Sequence, residues 1–317
     1  MSKPNLHFVI SSPRSGSTWL SRALNGHPDV FATEQRLFGN FCEMWPTPRG
    51  DKKPRITVDA FAKAFGVHYF HEELGIDRTE FENQFHESFV DFLLDFAARR
   101  TDAKTIIDKI TPYTGTTEMV INKIRERIPQ AKIIHLVRDG RDTVTSATFD
   151  WLLKDANNTD RHRFFVEKSL NVMDRFFDEA VLQRWAKHWN DVNRTTRDAK
   201  PDLEVRFETM KEDQATVLKN IFQLLSLDTS DEIAQQAVSE SSFEKATGRQ
   251  PGEQQATSKT RNGIVGDWKN YFTRADGELF NQLAGTELAR FDYAENSDWI
   301  QTLPEKLGRE QNEVPSE

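Results

Sequence analysis

Apolar residues in this chain gather into short strand-like runs, and longer stretches between the runs carry apolar residues at helical spacing. Phe8, Val9 and Ile10 make the first run, 133–137 (IIHLV) is a nearly continuous one, and 105–110 (TIIDKI) and 203–208 (LEVRFE) also read as strands. An unbroken apolar run bounded by turn residues is the pattern of a strand buried on both faces, as in a parallel sheet. Helices are predicted at about 18–25, closed by Gly26 and Pro28, and at 116–127, ended by Pro129. Another starts at Thr79, where Thr79 and Glu82 fit a capping box and Phe81, Phe85, Phe89, Phe92 and Phe96 recur at helical spacing, predicting a packed face. Further helices are expected at 140–151, through the stripe Phe177, Val181, Trp185, Trp189 and Val192, and at 215–227, 231–240 and 276–291. Residues 31–55 and 246–260 read as loop, and 154–175 carry no clear period.

Strands alternating with helices predict an α/β fold, a single-domain, mostly parallel open sheet flanked by helices on both faces. Ligands of such sheets bind at the carboxyl ends of the strands. The expected domain spans 1–300, with an acceptor-side insertion at about 38–104 and a disordered tail at 301–317.

Charge narrows the partners. With 42 basic against 50 acidic side chains the net charge is −8, which argues against a nucleic-acid or membrane-surface binder and leaves any polyanionic ligand to local Arg and Lys. One cysteine, Cys42, permits no intrachain disulfide, and its eight histidines show no zinc-type spacing, so no metal is expected. Without an apolar leader or an 18-residue apolar run, a cytoplasmic chain with no membrane span is expected.

Residues 7–20, HFVISSPRSGSTWL, run from a strand through a Ser/Gly/Pro turn into a helix. The first N–H groups of that helix lack intrahelical partners and carry the positive end of its dipole, which makes an anion cradle. Ser15, Ser17 and Thr18 add hydroxyls and Arg14 a fixed charge. A Walker A loop would end in Gly-Lys-Ser/Thr, whereas Ser17 follows Gly16 here. Two further stretches share the anion theme: RDGRDTVTS, with Ser146 eight residues after Arg138, and RNGIVGDWKNYFT, with Arg261, Asn262 and Gly263.

In this order the three motifs resemble those of the sulfotransferases that use 3′-phosphoadenosine 5′-phosphosulfate (PAPS), whose fold is of the P-loop-containing nucleoside triphosphate hydrolase type. PRSGSTWL resembles their 5′-phosphosulfate loop, RDGRDTVTS their 3′-phosphate motif, and RNGIVGDWKNYFT the RKGxxGDWKNxFT segment of the cytosolic branch. The stretch VRFETMKED is also similar to that branch. The resemblance implies transfer of a sulfuryl group from PAPS to a hydroxyl, less readily an amine, with release of 3′,5′-ADP. It implies Arg14, Ser15, Gly16, Ser17 and Thr18 at the 5′ end, and Arg138, Ser146, Arg261, Asn262 and Gly263 at the 3′-phosphate. Trp19, Phe207 and Phe243 would pack on adenine, and Arg14 and Lys109 would stabilise the transition state. Core burial remains the competing role for Trp19 and Phe243, as a solvated strand end does for Lys109.

The sequence departs from the family at the general base, because Lys109-Ile110-Thr111-Pro112 lacks the histidine of the cytosolic branch. Glu34, in GHPDVFATEQRLF, lies near the glutamate of other branches and is the candidate, with His68, His71 and His86 as outside choices. Asn262 replaces a lysine of the cytosolic pattern. Lys269, Thr273 and Glu278 fit its homodimer motif, but Arg274 replaces the apolar valine, which leaves that pairing open. A P-loop kinase and a non-catalytic adenosine-phosphate binder are the alternatives, and the acceptor is not legible.

Overall fold

The computed structural model describes residues 3–33, 60–64, 75, 77–99, 101–154, 175–242 and 264–307. Two compact units emerge, one of Met1–Ser12, Gly16–Val137 and Asp191–Ser242, the other of Pro13–Ser15, Arg138–Asn190 and Phe243–Glu317.

The first unit is a five-stranded sheet of β1 (Asn5–Ile10), β2 (Val30–Thr33), β3 (Thr105–Ile110), β4 (Ile133–Val137) and β5 (Leu203–Arg206). Their order is β2-β3-β1-β4-β5 and every pair is parallel. Strand alternation sorts the apolar side chains onto two faces. Val9, Ile107, Ile134, Leu136 and Val205 meet α1 (Ser17–Leu24), α7 (Gln214–Leu224) and α8 (Asp231–Glu240). Leu6, Phe8, Ile10, Ile106 and Ile110 meet α2 (Arg78–Ala98) and α3 (Thr117–Arg127). The predicted parallel sheet with helices on both faces is therefore present. A short α6 (Phe207–Glu212) follows β5, so the fourth predicted strand stops at Arg206.

Strand β2 corrects the expectation of loop from residue 31. It is an edge strand of four residues, and the side chain of Asn25 stands in for a neighbouring strand: its Nδ2 donates to the Ala32 carbonyl at 2.8 Å and its Oδ1 accepts from the Ala32 N–H at 2.7 Å. Gly26 admits α8 closely, since a Cβ there would lie 2.5 Å from Ala237 Cα.

Helix α2 corrects two expectations. Its cap is Asp77, whose carboxylate accepts from the Glu80 N–H at 2.9 Å, so Thr79 sits inside the first turn. Its buried face is His86, Val90 and Leu94, whereas Phe92 and Phe96 are 60% and 47% exposed. The phenylalanines, at steps of four, four, three and four, run one to two positions away from that line, and the sheet takes the aliphatic one.

His7 on β1 is 6% exposed and accepts the Lys132 N–H at Nδ1, 3.0 Å away. Burial, then the Lys132 charge, push its pKa down to about 4, against a smaller upward pull from Asp202. The folded pKa lies below the unfolded value of about 6.5, so the stabilisation is complete above that pH and is lost as the pH falls through 4. Across this window His7 is expected to withdraw about 3 kcal/mol. His7→Asn should flatten the unfolding free energy against pH between about 6.5 and 4 in urea titrations; an unchanged slope would refute the assignment.

The second unit comprises α4 (Gly140–Lys154), the first half of α5 (Glu179–Asp198), a 3-10 turn Asp267–Asn270, α9 (Arg274–Arg290) and a second 3-10 turn Asp298–Thr302. Phe149, Phe176 and Tyr271 form one aromatic group, and Trp189, Phe272, Phe280 and Phe291 another. Gly140 permits the second, because a Cβ there would lie 2.8 Å from both Trp189 and Phe280. Ordered chain continues past residue 300: Leu303 is buried and the Pro304 carbonyl accepts from the Arg274 N–H at 2.8 Å. The first part of the expected tail at 301–317 is thus packed chain, and residues 308–317 lie outside the described residues.

Candidate functional site

The loop after β1 turns through two left-handed residues, Arg14 at φ 69° and Gly16 at φ 89°. Gly16 is the N-cap of α1, and a Cβ there would meet Phe207 Cδ2 at 2.4 Å. Glycine is needed both for the backbone angle and for the ring packed against it. Gly16→Ala is expected to cost about 3 kcal/mol in denaturant unfolding, from the left-handed angle and the overpacking together. A cost under about 0.5 kcal/mol would contradict the packing of Phe207 beneath the loop.

Helix α1 has no side-chain cap and no acidic residue in its first turn, so its N-terminal dipole is uncompensated by side chains there. The Lys109 Nζ, on β3, donates to Thr18 Oγ1 at 3.4 Å in that same turn. By alternation Lys109 shares the face of Ile107, the α1 side of the sheet. Trp19 is fixed by its Nε1, which donates to the Ser241 carbonyl at 2.9 Å, and by an edge-on contact with Phe207 at 5.6 Å. The Lys211 ammonium stands 5.1 Å over the Trp19 ring. Phe207 is 4% exposed and belongs to the hydrophobic core beneath Gly16.

In the second unit the Arg14 guanidinium reaches α4. Its Nε donates to Ser146 Oγ at 3.2 Å and its Nη1 lies 3.5 Å from Asp150 Oδ1. Arg138, the residue after β4, is 8% exposed and donates from Nη1 to the Arg14 carbonyl at 3.3 Å and from Nη2 to the Ile264 carbonyl at 3.1 Å. Trp189 Nε1 in turn donates to the Arg138 carbonyl at 2.9 Å.

Asp142, on the first turn of α4, ties these parts together. Its Oδ2 is 3.5 Å from Arg138 Nη2 and accepts the Gly266 N–H at 2.8 Å, while its Oδ1 accepts the Trp268 N–H at 2.9 Å. Burial raises its pKa, opposed by Arg138 and by the two backbone donors. Beside it, Arg141 forms a two-pronged pair with Asp139, donates to the Tyr293 carbonyl, and lies 4.0 Å from the Trp268 ring centre and 4.7 Å from that of Trp299. The RDGRD motif thus holds the GDW motif through Asp142 and Arg141.

Of the residues singled out from sequence, Arg14, Ser146 and Arg138 meet in one unit, and Gly16, Thr18, Trp19, Lys109 and Phe207 meet in the other. Glu34, Phe243, Arg261, Asn262, Gly263, His68 and His71 lie outside the described residues. His86 faces the core, 2% exposed. Asp142 and Asp150 were not anticipated; the second acid of RDGRD was the available signal for the first. Among the described residues no group of three His, Cys, Asp or Glu could hold a metal ion, and no helix is long and apolar enough to cross a membrane.

The chain belongs to the family described as the sulfotransferase domain, whose model matches residues 4–292. Among curated proteins it is 29% identical over 161 residues to sulfotransferase 1E1 of Bos taurus, covering 47% of this chain and 52% of that one. It is 28% identical over 305 residues to the amine sulfotransferase of Oryctolagus cuniculus, covering 90% and 81%. The first alignment therefore spans about half of that relative's length. In fold it is similar to mouse sulfotransferase SULT7A1 complexed with PAP, at TM-score 0.51 and 19% identity over 96% of this chain and 89% of that one. It is equally similar to the sulfotransferase domain of the Synechococcus PCC 7002 olefin synthase, at TM-score 0.51 and 20% identity over 93% and 97%.

Proposed function

We propose that this chain transfers a sulfuryl group from PAPS to a hydroxyl acceptor, less readily an amine, and releases 3′,5′-ADP. The observation that carries this reading, beyond family membership, is the buried Arg138 guanidinium fixed by Asp142 and the Ile264 carbonyl beside the loop that bears Arg14. A fixed planar fork suits a phosphate, which it meets through two parallel hydrogen bonds. The donors fit such a group: guanidinium, hydroxyl and uncapped amides are an oxyanion set. PAPS supplies a sulfuryl group on a good leaving phosphate. SULT7A1, similar in fold, is described as complexed with PAP.

The proposed roles follow from charge and placement. Arg14 and the amides of Ser15, Gly16, Ser17 and Thr18 hold the 5′ end. Arg138 and Ser146 hold the 3′-phosphate, joined by Arg261, Asn262 and Gly263 on the strength of sequence. Trp19, with Phe207 behind it and Phe243 by resemblance, forms the adenine wall. Lys109 presents its ammonium beside Thr18, where charge grows on the departing oxygen. Glu34 is the proposed base, by sequence position alone. The proposed domain runs from residue 1 to about 300 with the acceptor region at 38–104, in a cytoplasmic protein. Pairing of two chains through Lys269, Thr273 and Glu278 would use a segment whose Thr273 already caps α9.

The direct test is transfer of labelled sulfate from PAPS to a panel of phenols, alcohols and amines in the presence of EDTA. Label in a hydroxyl acceptor, with stoichiometric 3′,5′-ADP, is the expected result; no transfer from PAPS to any member of the panel would overturn it.

A further inference from the structure

The mechanism above gives no role to Asp150, yet its carboxylate lies 3.5 Å from the Arg14 guanidinium with side-chain exposures of 13% and 23%. Ser146 and Asp150 are four residues apart on α4 and so share one face of the helix, and Arg14 reaches both, Nε toward the hydroxyl and Nη1 toward the carboxylate. The backbone of Arg14 is held in a left-handed conformation, unfavourable for a non-glycine residue. Its carbonyl is held by Arg138, which anchors the backbone from which the side chain leaves.

We propose that Asp150 is a built-in counter-ion to Arg14, with which an incoming 5′-phosphosulfate must compete, so that Asp150 lowers the affinity for the sulfonucleotide. The inference rests on Arg14 binding the 5′ end. An anion arriving at Arg14 either takes the place of the carboxylate or sits beside it, and both lose attraction the ion pair had already supplied. The carboxylate therefore sets how much of the Arg14 charge the cofactor can use. It also favours prompt release of the spent nucleotide, which carries a phosphate at the same place.

Calorimetric titration of the full-length protein with 3′,5′-ADP and with adenosine 3′-monophosphate, for wild type, Asp150→Asn and Asp150→Glu, tests this. Asp150→Asn keeps the shape of the side chain and removes its charge. It should tighten binding of 3′,5′-ADP about fivefold, as expected for a partly exposed ion pair. Adenosine 3′-monophosphate, which has no 5′ group, should gain less than twofold, and Asp150→Glu should bind as wild type does. A merely structural Asp150 would give weaker binding on substitution, and that sign overturns the proposal. So does unchanged affinity for 3′,5′-ADP, or an equal gain for both nucleotides, which would mean general repulsion instead of competition for Arg14. If wild type binds neither nucleotide, the sulfonucleotide reading itself fails. Binding by wild type with no gain in Asp150→Asn refutes the counter-ion alone.

Discussion

Arg138→Ala is expected to weaken binding of 3′,5′-ADP by about a hundredfold, the loss of two charge-assisted hydrogen bonds to one phosphate. The effect should be selective. Wild-type protein is expected to prefer 3′,5′-ADP strongly over 5′-AMP, and the variant should show much less of that preference, because the 3′-phosphate has lost its buried guanidinium. The same substitution leaves the Asp142 carboxylate, 1% exposed, without the guanidinium at 3.5 Å. Breaking such a buried pair from one side costs about 3 kcal/mol. Unfolding in urea should therefore show a large loss of stability alongside the loss of binding. Asp142 also holds the Gly266 and Trp268 amides, so the 264–268 segment is where protection from hydrogen exchange should fall first. Retention of the preference for 3′,5′-ADP over 5′-AMP would remove Arg138 from the 3′-phosphate site.

Lys109→Ala should act on turnover instead. The ammonium sits beside Thr18 in the first turn of α1, on the face of the sheet that α1 covers. A cation placed where leaving-group charge develops is worth about a hundredfold to a thousandfold in rate. Sulfuryl transfer measured with saturating PAPS should fall by that factor, while the Kd for 3′,5′-ADP should stay within about threefold, since the bound product lacks the sulfuryl group. Lys109→Arg should recover part of the rate by restoring the charge. Full turnover in Lys109→Ala would take the residue out of the chemistry and leave the nucleotide site standing.

How far the molecule could be read from its residues depended on whether the signal was local. Strands β1, β3 and β4 were legible because burial on both faces favours near-continuous apolar runs, which Phe8–Ile10, Ile106–Ile107 and, apart from His135, Ile133–Val137 supply. Strand β2 was not, because its open edge is completed by the side chain of Asn25 rather than by any pattern of its own. On α2 the phenylalanine stripe was visible, but the sheet selected Val90 and Leu94, and that choice is made by packing. Gly16 stood out as a turn glycine; that Phe207, far along the chain, also requires it appears only in three dimensions. In the same way Arg14 and Ser146 were each marked from their motifs while their meeting across 132 positions was not. Asp142 hid in plain sight, since an acid in the first turn of a helix is adequately explained by the helix dipole.

The central claim is a nucleotide site that reads two phosphates on one ribose. Calorimetric titration with 3′,5′-ADP, set against 5′-AMP and ATP, with and without magnesium, tests it most directly. Tight binding of 3′,5′-ADP that is indifferent to magnesium and lost when the 3′-phosphate is absent is the predicted result. Preference for ATP with magnesium would contradict it and place the chain among phosphotransferases.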